Sequence, residues 1–191
     1  MGGEPSGAGA EAAGGFAGGV VKSLVRQHLT KLLGSFPKMR EIESWINDAV
    51  ETQDLRIERI ADDEATVVRE SVTKTFVDGS WRTWSLGLRK PYVCHSSVEY
   101  TISQILPVSA DVDVYFIPET DDGEEVPVYR VRAGAVELLI QDCPFFEYYV
   151  VSAGYDWLVA ETEHDVLITC SASESTLRIK PGGYTVDLNQ R

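Results

Sequence analysis

Residues 145–165 read FFEYYVVSAGYDWLVAETEHD, and no other stretch restricts the fold of this chain as tightly. Two runs rich in aromatic and β-branched residues flank Gly154, which is the pattern of consecutive antiparallel strands joined by a turn. In the first run Phe145, Glu147, Tyr149 and Val151 share one face while Phe146, Tyr148 and Val150 share the other. Aromatics on both sides call for a central strand covered on both faces, or for one face turned to a partner. Burial within the domain is the simpler of the two. On that register Glu147 sits between Phe145 and Tyr149, where a buried carboxylate needs a cation such as Arg130 or Arg132.

The rest of the chain supplies helices first and strands afterwards. Residues 1–19 are Gly, Ala and Ser with little to bury, a flexible tail. Val20, Leu24, His28 and Leu32 recur at helical spacing, and Met39 to Val50 repeats the pattern with Ile42, Trp45, Ile46 and Ala49. A third helix, capped by Asp62 or Asp63, runs through Val67, Val68, Val72 and Phe76 to Asp78-Gly79. Residues 81–88 (WRTWSLGL) read as a strand, and a short helix starts at Ser96 or Ser97 and runs to Leu106 before Pro107. Residues 111–118 and 126–131 form a hairpin across the acidic turn 120–125. A helix over 134–142 is stopped by Pro144. Strands over 145–152, 157–162 and 165–170 follow, and 177–180 with 184–188 make a terminal hairpin across Pro181-Gly182-Gly183. This order predicts an α+β fold: N-terminal helices, then a mostly antiparallel sheet of about five to seven strands with short helices between them. Its organisation reads as a tail (1–19), a helical segment (20–60), a core domain (61–172) and a C-terminal linker with its hairpin (173–191).

The chain carries 30 Asp and Glu against 17 Lys and Arg, a formal net charge of −13. Such a surface repels a polyanion, so nucleic acid is not an expected partner, whereas a basic protein is. The charge is uneven, because residues 1–40 hold five Lys and Arg against two Asp and Glu. A basic amphipathic helix over 20–33 either docks on the acidic body of its own chain or meets a membrane surface or partner groove. No apolar run is long enough to span a membrane, and the N-terminus lacks the basic start and apolar segment of a signal peptide. Three cysteines, Cys94, Cys143 and Cys170, without CxxC spacing fit a reducing, cytoplasmic setting.

No nucleotide-binding loop, zincin helix, nucleophile elbow or calcium loop is present, so neither a catalytic residue nor a cofactor nor a metal set is assigned. Glu161, Glu163 and Asp165 share one face if the strand runs through ETEHD, and the alternation is lost if the chain turns at Glu163-His164. Cys94 and His95 are adjacent and on an extended chain point opposite ways, which argues against a thiol–imidazole dyad.

The ordered set Phe146-Glu147-Tyr148-Tyr149-Val150-Val151, Trp157-Leu158, Glu161 and His164 resembles the C-terminal signature of a family of small, uncharacterised bacterial proteins, in which an FEYYIV strand precedes a WLxxExH segment. The resemblance covers about residues 65–170. It departs at Glu163, where the family pattern often has a second histidine. It implies a bacterial origin and carries no activity; by style alone such small acidic domains are similar to toxin-immunity proteins. The reading that follows is a non-enzymatic acidic domain that occludes a basic protein partner, with Glu147, Tyr149, Trp157, Glu161 and His164 as the binding residues. Two alternatives stand beside it: a small metal-dependent or acid/base hydrolase using Glu161 and His164, and a structural subunit docking through the 20–33 helix. The oligomeric state is not legible.

Overall fold

A computed structural model describes residues 38–79, 83–119, 126–141, 143–162 and 164–172. The expected N-terminal tail, the 20–33 helix and the terminal hairpin lie outside these residues. The described residues form four α-helices and seven strands, and the strands make one sheet in which every pairing is antiparallel. The fold is therefore α+β, with helices leading into an antiparallel sheet and short helices between its strands.

The first helix, α1 (Met39–Gln53), starts where Glu41 Oε2 accepts the Lys38 backbone N–H at 2.9 Å and ends at Asp54, which takes the left-handed conformation with φ 49°. Met39, Ile42, Ile46 and Ala49 are buried along one side. After β1 (Ile57–Arg59) comes α2 (Asp62–Phe76), whose N-cap is Ala61 rather than Asp62 or Asp63. Those aspartates lie with Glu64 inside the first turn, where their charge meets the positive end of the helix dipole. Ala65, Val68, Val72 and Phe76 form its buried side, whereas Val67 is 59 % exposed because its helical angle points it away from that stripe.

In the described part of the expected 81–88 strand, residues 83–88, the chain forms instead a 3₁₀ turn (Trp84–Gly87), and Leu88 makes an isolated bridge to Val77. The Ser85 N–H is bonded to a side chain, Tyr149 Oη at 3.1 Å, and backbone pairing is confined to the bridge, where Asp78 N–H donates to Gly87 O and Arg89 N–H to Phe76 O, both at 2.8 Å. Nor does a helix begin at Ser96 or Ser97. Tyr92–Ser96 is strand β2, and α3 (Ile102–Ile105) starts after Thr101, whose backbone N–H is accepted by Gln104 Oε1 at 2.9 Å; Val98 stays outside it, exposed.

The expected hairpin forms from β3 (Asp113–Pro118) and β4 (Tyr129–Arg132), in the register Val114 to Val131 and Phe116 to Tyr129. A 3₁₀ turn (Ala133–Ala135) leads into α4 (Val136–Gln141), and the chain then enters β5 (Tyr148–Ser152), β6 (Trp157–Thr162) and β7 (Val166–Ser171). Phe145 and Phe146 are buried but precede the strand proper.

Across the sheet the order is β1-β4-β3-β5-β6-β7-β2, which places β5 in the middle with all five of its residues buried. One face, with Val114, Phe116, Tyr148, Val150, Trp157 and Val159, packs under α1, α3 and α4. The other, with Ile117, Tyr149, Val151, Leu158 and Ala160, packs under α2 and the 84–87 turn. Helices on both sides explain why β5 is aromatic on both sides. Phe116 anchors the first core, its ring 5.3 Å from Tyr148 and 6.4 Å from Phe146.

Candidate functional site

Residues 161–165 carry the strongest functional claim in the sequence. β6 and β7 pair as far as Thr162 with Val166, so His164 and Asp165 lie in the turn between the two strands and Asp165 does not continue the face of Glu161 on one strand. Asp165 holds the turn in the left-handed region at φ 58° and donates its N–H to Thr162 O at 3.2 Å. His164 is exposed in the same turn, and Glu161 remains on β6, half-buried. Among the described residues no group of three or more His, Cys, Asp or Glu could hold a metal ion.

The five sequence-predicted binding residues do not converge on one place. Trp157 is 5 % exposed and belongs to the core under α1, α3 and α4, while Tyr149, 2 % exposed, belongs to the core on the opposite face. Glu161 shares the face of Trp157 but stands at the other end of β6, about 13 Å along the strand. Glu147 and Tyr149 do come together, and Glu161 and His164 flank the same turn. Arg130 and Arg132 are not the partners expected for Glu147. Arg130 bridges Glu58 at 2.7 Å and Glu64 at 2.6 Å, and Arg132 lies 3.2 Å from Asp113 and donates to Asp111 O.

Around Tyr149 a polar corner is built into the end of the sheet. Its phenol donates to Glu119 and accepts the Ser85 N–H, and the Trp84 ring lies 5.1 Å away. The Glu119 N–H donates to Glu147 O at 2.8 Å, which sets the two residues opposite each other one step beyond the last β3–β5 pair. Burial, and after it the charge of Glu119, hold the Tyr149 hydroxyl protonated well above the usual phenol range. The corner is thus a fixed, neutral phenol clamped to a carboxylate, which suits structure better than proton transfer. Trp84 and Glu119 carry no local signal in the sequence, because Tyr149 lies 30 positions from Glu119 and 64 from Ser85, the neighbour of Trp84.

The three cysteines are free and buried. Burial raises the Cys94 thiol, and burial with the nearby Cys94 pushes Cys170 up to about 12. At neutral pH both are protonated, and neither is a nucleophile. Cys94 stands opposite Ile168 and Cys170 opposite Tyr92, so the two thiols are diagonal neighbours, a spacing of about 7–8 Å between backbones that disfavours a disulfide.

A more extended feature lies on α1. Glu41, Asp48 and Glu51 are all exposed and recur at i, i+7 and i+10, with the exposed Ser44 between them at i+3. They make a single stripe opposite the buried Met39, Ile42, Ile46 and Ala49, with Arg40 at one edge. Asp48 and Glu51 have no ion-pair partner among the described residues, whereas Glu43, a step off the stripe, is paired with Arg59 at 2.9 Å. The stripe spans about 15 Å along the helix axis. The helical spacing of acids in MREIESWINDAVETQ is legible in the sequence beside its apolar stripe.

Comparison with curated proteins and with solved structures yields no match. A family model described as a family of unknown function matches residues 38–180, from the start of α1 past the end of β7. The chain accordingly belongs to that family, DUF6756.

Proposed function

We propose that this protein is a non-enzymatic binding domain that takes a basic protein partner on an acidic surface, in the manner of a bacterial toxin-immunity protein acting in the cytoplasm. The observation that carries this reading is the outward stripe Glu41, Asp48 and Glu51 on a helix whose opposite side is locked into the core. Three carboxylates on a rigid element, in a chain of net charge −13, are a preorganised counterpart for lysines and arginines. His164 extends the polar rim at the β6–β7 turn, Glu161 stands half-buried at the end of β6 with its register on the core side, and Glu147 lies at the end of the sheet beside Tyr149. Tyr149 and Trp157 act from within, keeping the sheet beneath these groups rigid.

The neutral, buried thiols and the clamped phenol support a binding role over a catalytic one. The test is retention of partners from a lysate of the source organism on the immobilised full chain, at about 50 mM and about 500 mM salt. A basic protein held at low salt and released at high salt is the expected result. Retention of acidic or neutral proteins alone, or retention indifferent to salt, overturns the reading.

A further inference from the structure

The sheet face beneath α3 carries polar residues that the acidic stripe and the Tyr149 corner do not use. In register Tyr148 stands opposite Glu161, Glu161 opposite Leu167, and Leu167 opposite His95, so the four form one row across β5, β6, β7 and β2. Residues paired in this way point to the same face. Tyr148 and Leu167 belong to the core under α1, α3 and α4, and Glu161 and His95 therefore face it too.

The imidazole is 4 % exposed although it lies on an edge strand, and the ring of Tyr100 meets it edge-on at 5.5 Å. One step along β7 on the same face, Thr169 adds a buried hydroxyl with no hydrogen-bond partner. The histidine that shares a face with Glu161 is thus His95, the neighbour of Cys94, and not the exposed His164 of the turn.

Two strand spacings, about 10 Å, separate the backbones of Glu161 and His95, and by register both side chains stand on the same face of the sheet with Leu167 between them. Burial disfavours the charged imidazole, and an opposite charge at such range on a half-buried glutamate works against that burial and favours the charged form. We propose that Glu161 and His95 are one acid–base unit, a half-buried carboxylate and a buried imidazole whose ligand is the proton, held across Leu167 with Tyr148 and Tyr100 beside it. The ring of Tyr100, from the segment before α3, touches His95, and the titratable groups that share its row on this face are Glu161 from β6 and Tyr148 from β5. β7 presents the neutral Leu167 and Thr169, and α3, reading ISQI, carries nothing ionisable. Asp165 enters through its backbone, accepting the Ser97 N–H at 2.9 Å.

The experiment is a nuclear magnetic resonance titration of the isotope-labelled full chain, following the His95 ring and the Glu161 carboxyl carbon. In the wild type each resonance is expected to report both titrations, as two inflections in one curve. Glu161→Gln should lower the His95 midpoint by on the order of one pH unit, a tenfold loss of proton affinity, while His164→Gln leaves it in place. Single-inflection curves in the wild type, or a His95 midpoint that ignores Glu161→Gln, overturn the proposal. If Glu161→Gln fails to fold, the wild-type curves decide alone. The proposal stands or falls separately from the partner reading.

Discussion

Tyr149→Phe removes one oxygen from the corner and leaves the ring, so it isolates the hydroxyl. That hydroxyl donates to the Glu119 carboxylate and accepts the Ser85 N–H at 3.1 Å. A hydrogen bond to a charged acceptor contributes about 1.5–3 kcal/mol net, and a neutral one about 1 kcal/mol. Glu119 and Ser85 are both half-buried, so water recovers part of the loss. The apolar contact with Trp84 is kept. The expected cost is about 2–3 kcal/mol at pH 7, read as a lower urea midpoint with an unchanged slope.

The same variant predicts a pH effect with a definite sign. Tyr149 and Tyr129 both have folded-state pKa values raised by burial above the usual phenol value, Tyr129 to about 12. Between about pH 10 and 12 the unfolded chain releases these protons while the folded chain keeps them. The folded state is therefore fully favoured below pH 10 and loses about 1.4 kcal/mol per pH unit for each phenol above it. Tyr149→Phe should remove one share of that slope. A variant within about 0.5 kcal/mol of wild type at pH 7, with an unaltered alkaline slope, would refute the clamp.

Phe116→Ala should cost about 3–5 kcal/mol in the same urea assay, because the side chain is fully buried among Tyr129, Phe146 and Tyr148; Val67→Ala, at an exposed site on α2, should fall within about 0.5 kcal/mol of wild type. The cysteines should resist a thiol reagent in the native protein at pH 8 and react only as fast as the chain opens, since all three are buried and Cys94 and Cys170 stay protonated. Rapid native labelling of Cys94 or Cys170 would contradict that burial.

The parts of the fold legible in the sequence were those whose signal is local. β5, β6 and β7 follow one another with short turns and strong apolar content, so alternation and the Gly154 and Glu163-His164 breaks defined them. β2 was missed because Pro91, Cys94, His95 and Ser96 give a weak strand pattern, and its partner β7 lies more than seventy residues on. β1 is three residues, two of them charged, and exists as an edge on β4. The 84–87 turn has a strand-like composition, and the residue its backbone meets through a side-chain hydrogen bond, Tyr149, lies 64 positions away. For the candidate sites the limit was the same. The period of α1 and the β6–β7 turn are local; the Tyr149 corner and the Tyr148, Glu161 and His95 row need tertiary register.

The most direct test of the acidic-surface account is the affinity of the retained basic protein for wild type and for the triple variant Ser44→Lys, Asp48→Lys, Glu51→Lys. These three exposed side chains make no ion pair among the described residues, so the variant should keep its fold. One charge gained at Ser44 and two each at Asp48 and Glu51 move the formal net charge from −13 to −8. The account predicts at least about a tenfold weaker complex at low salt, with most of the salt dependence gone. An affinity and salt dependence equal to those of the wild type would contradict it.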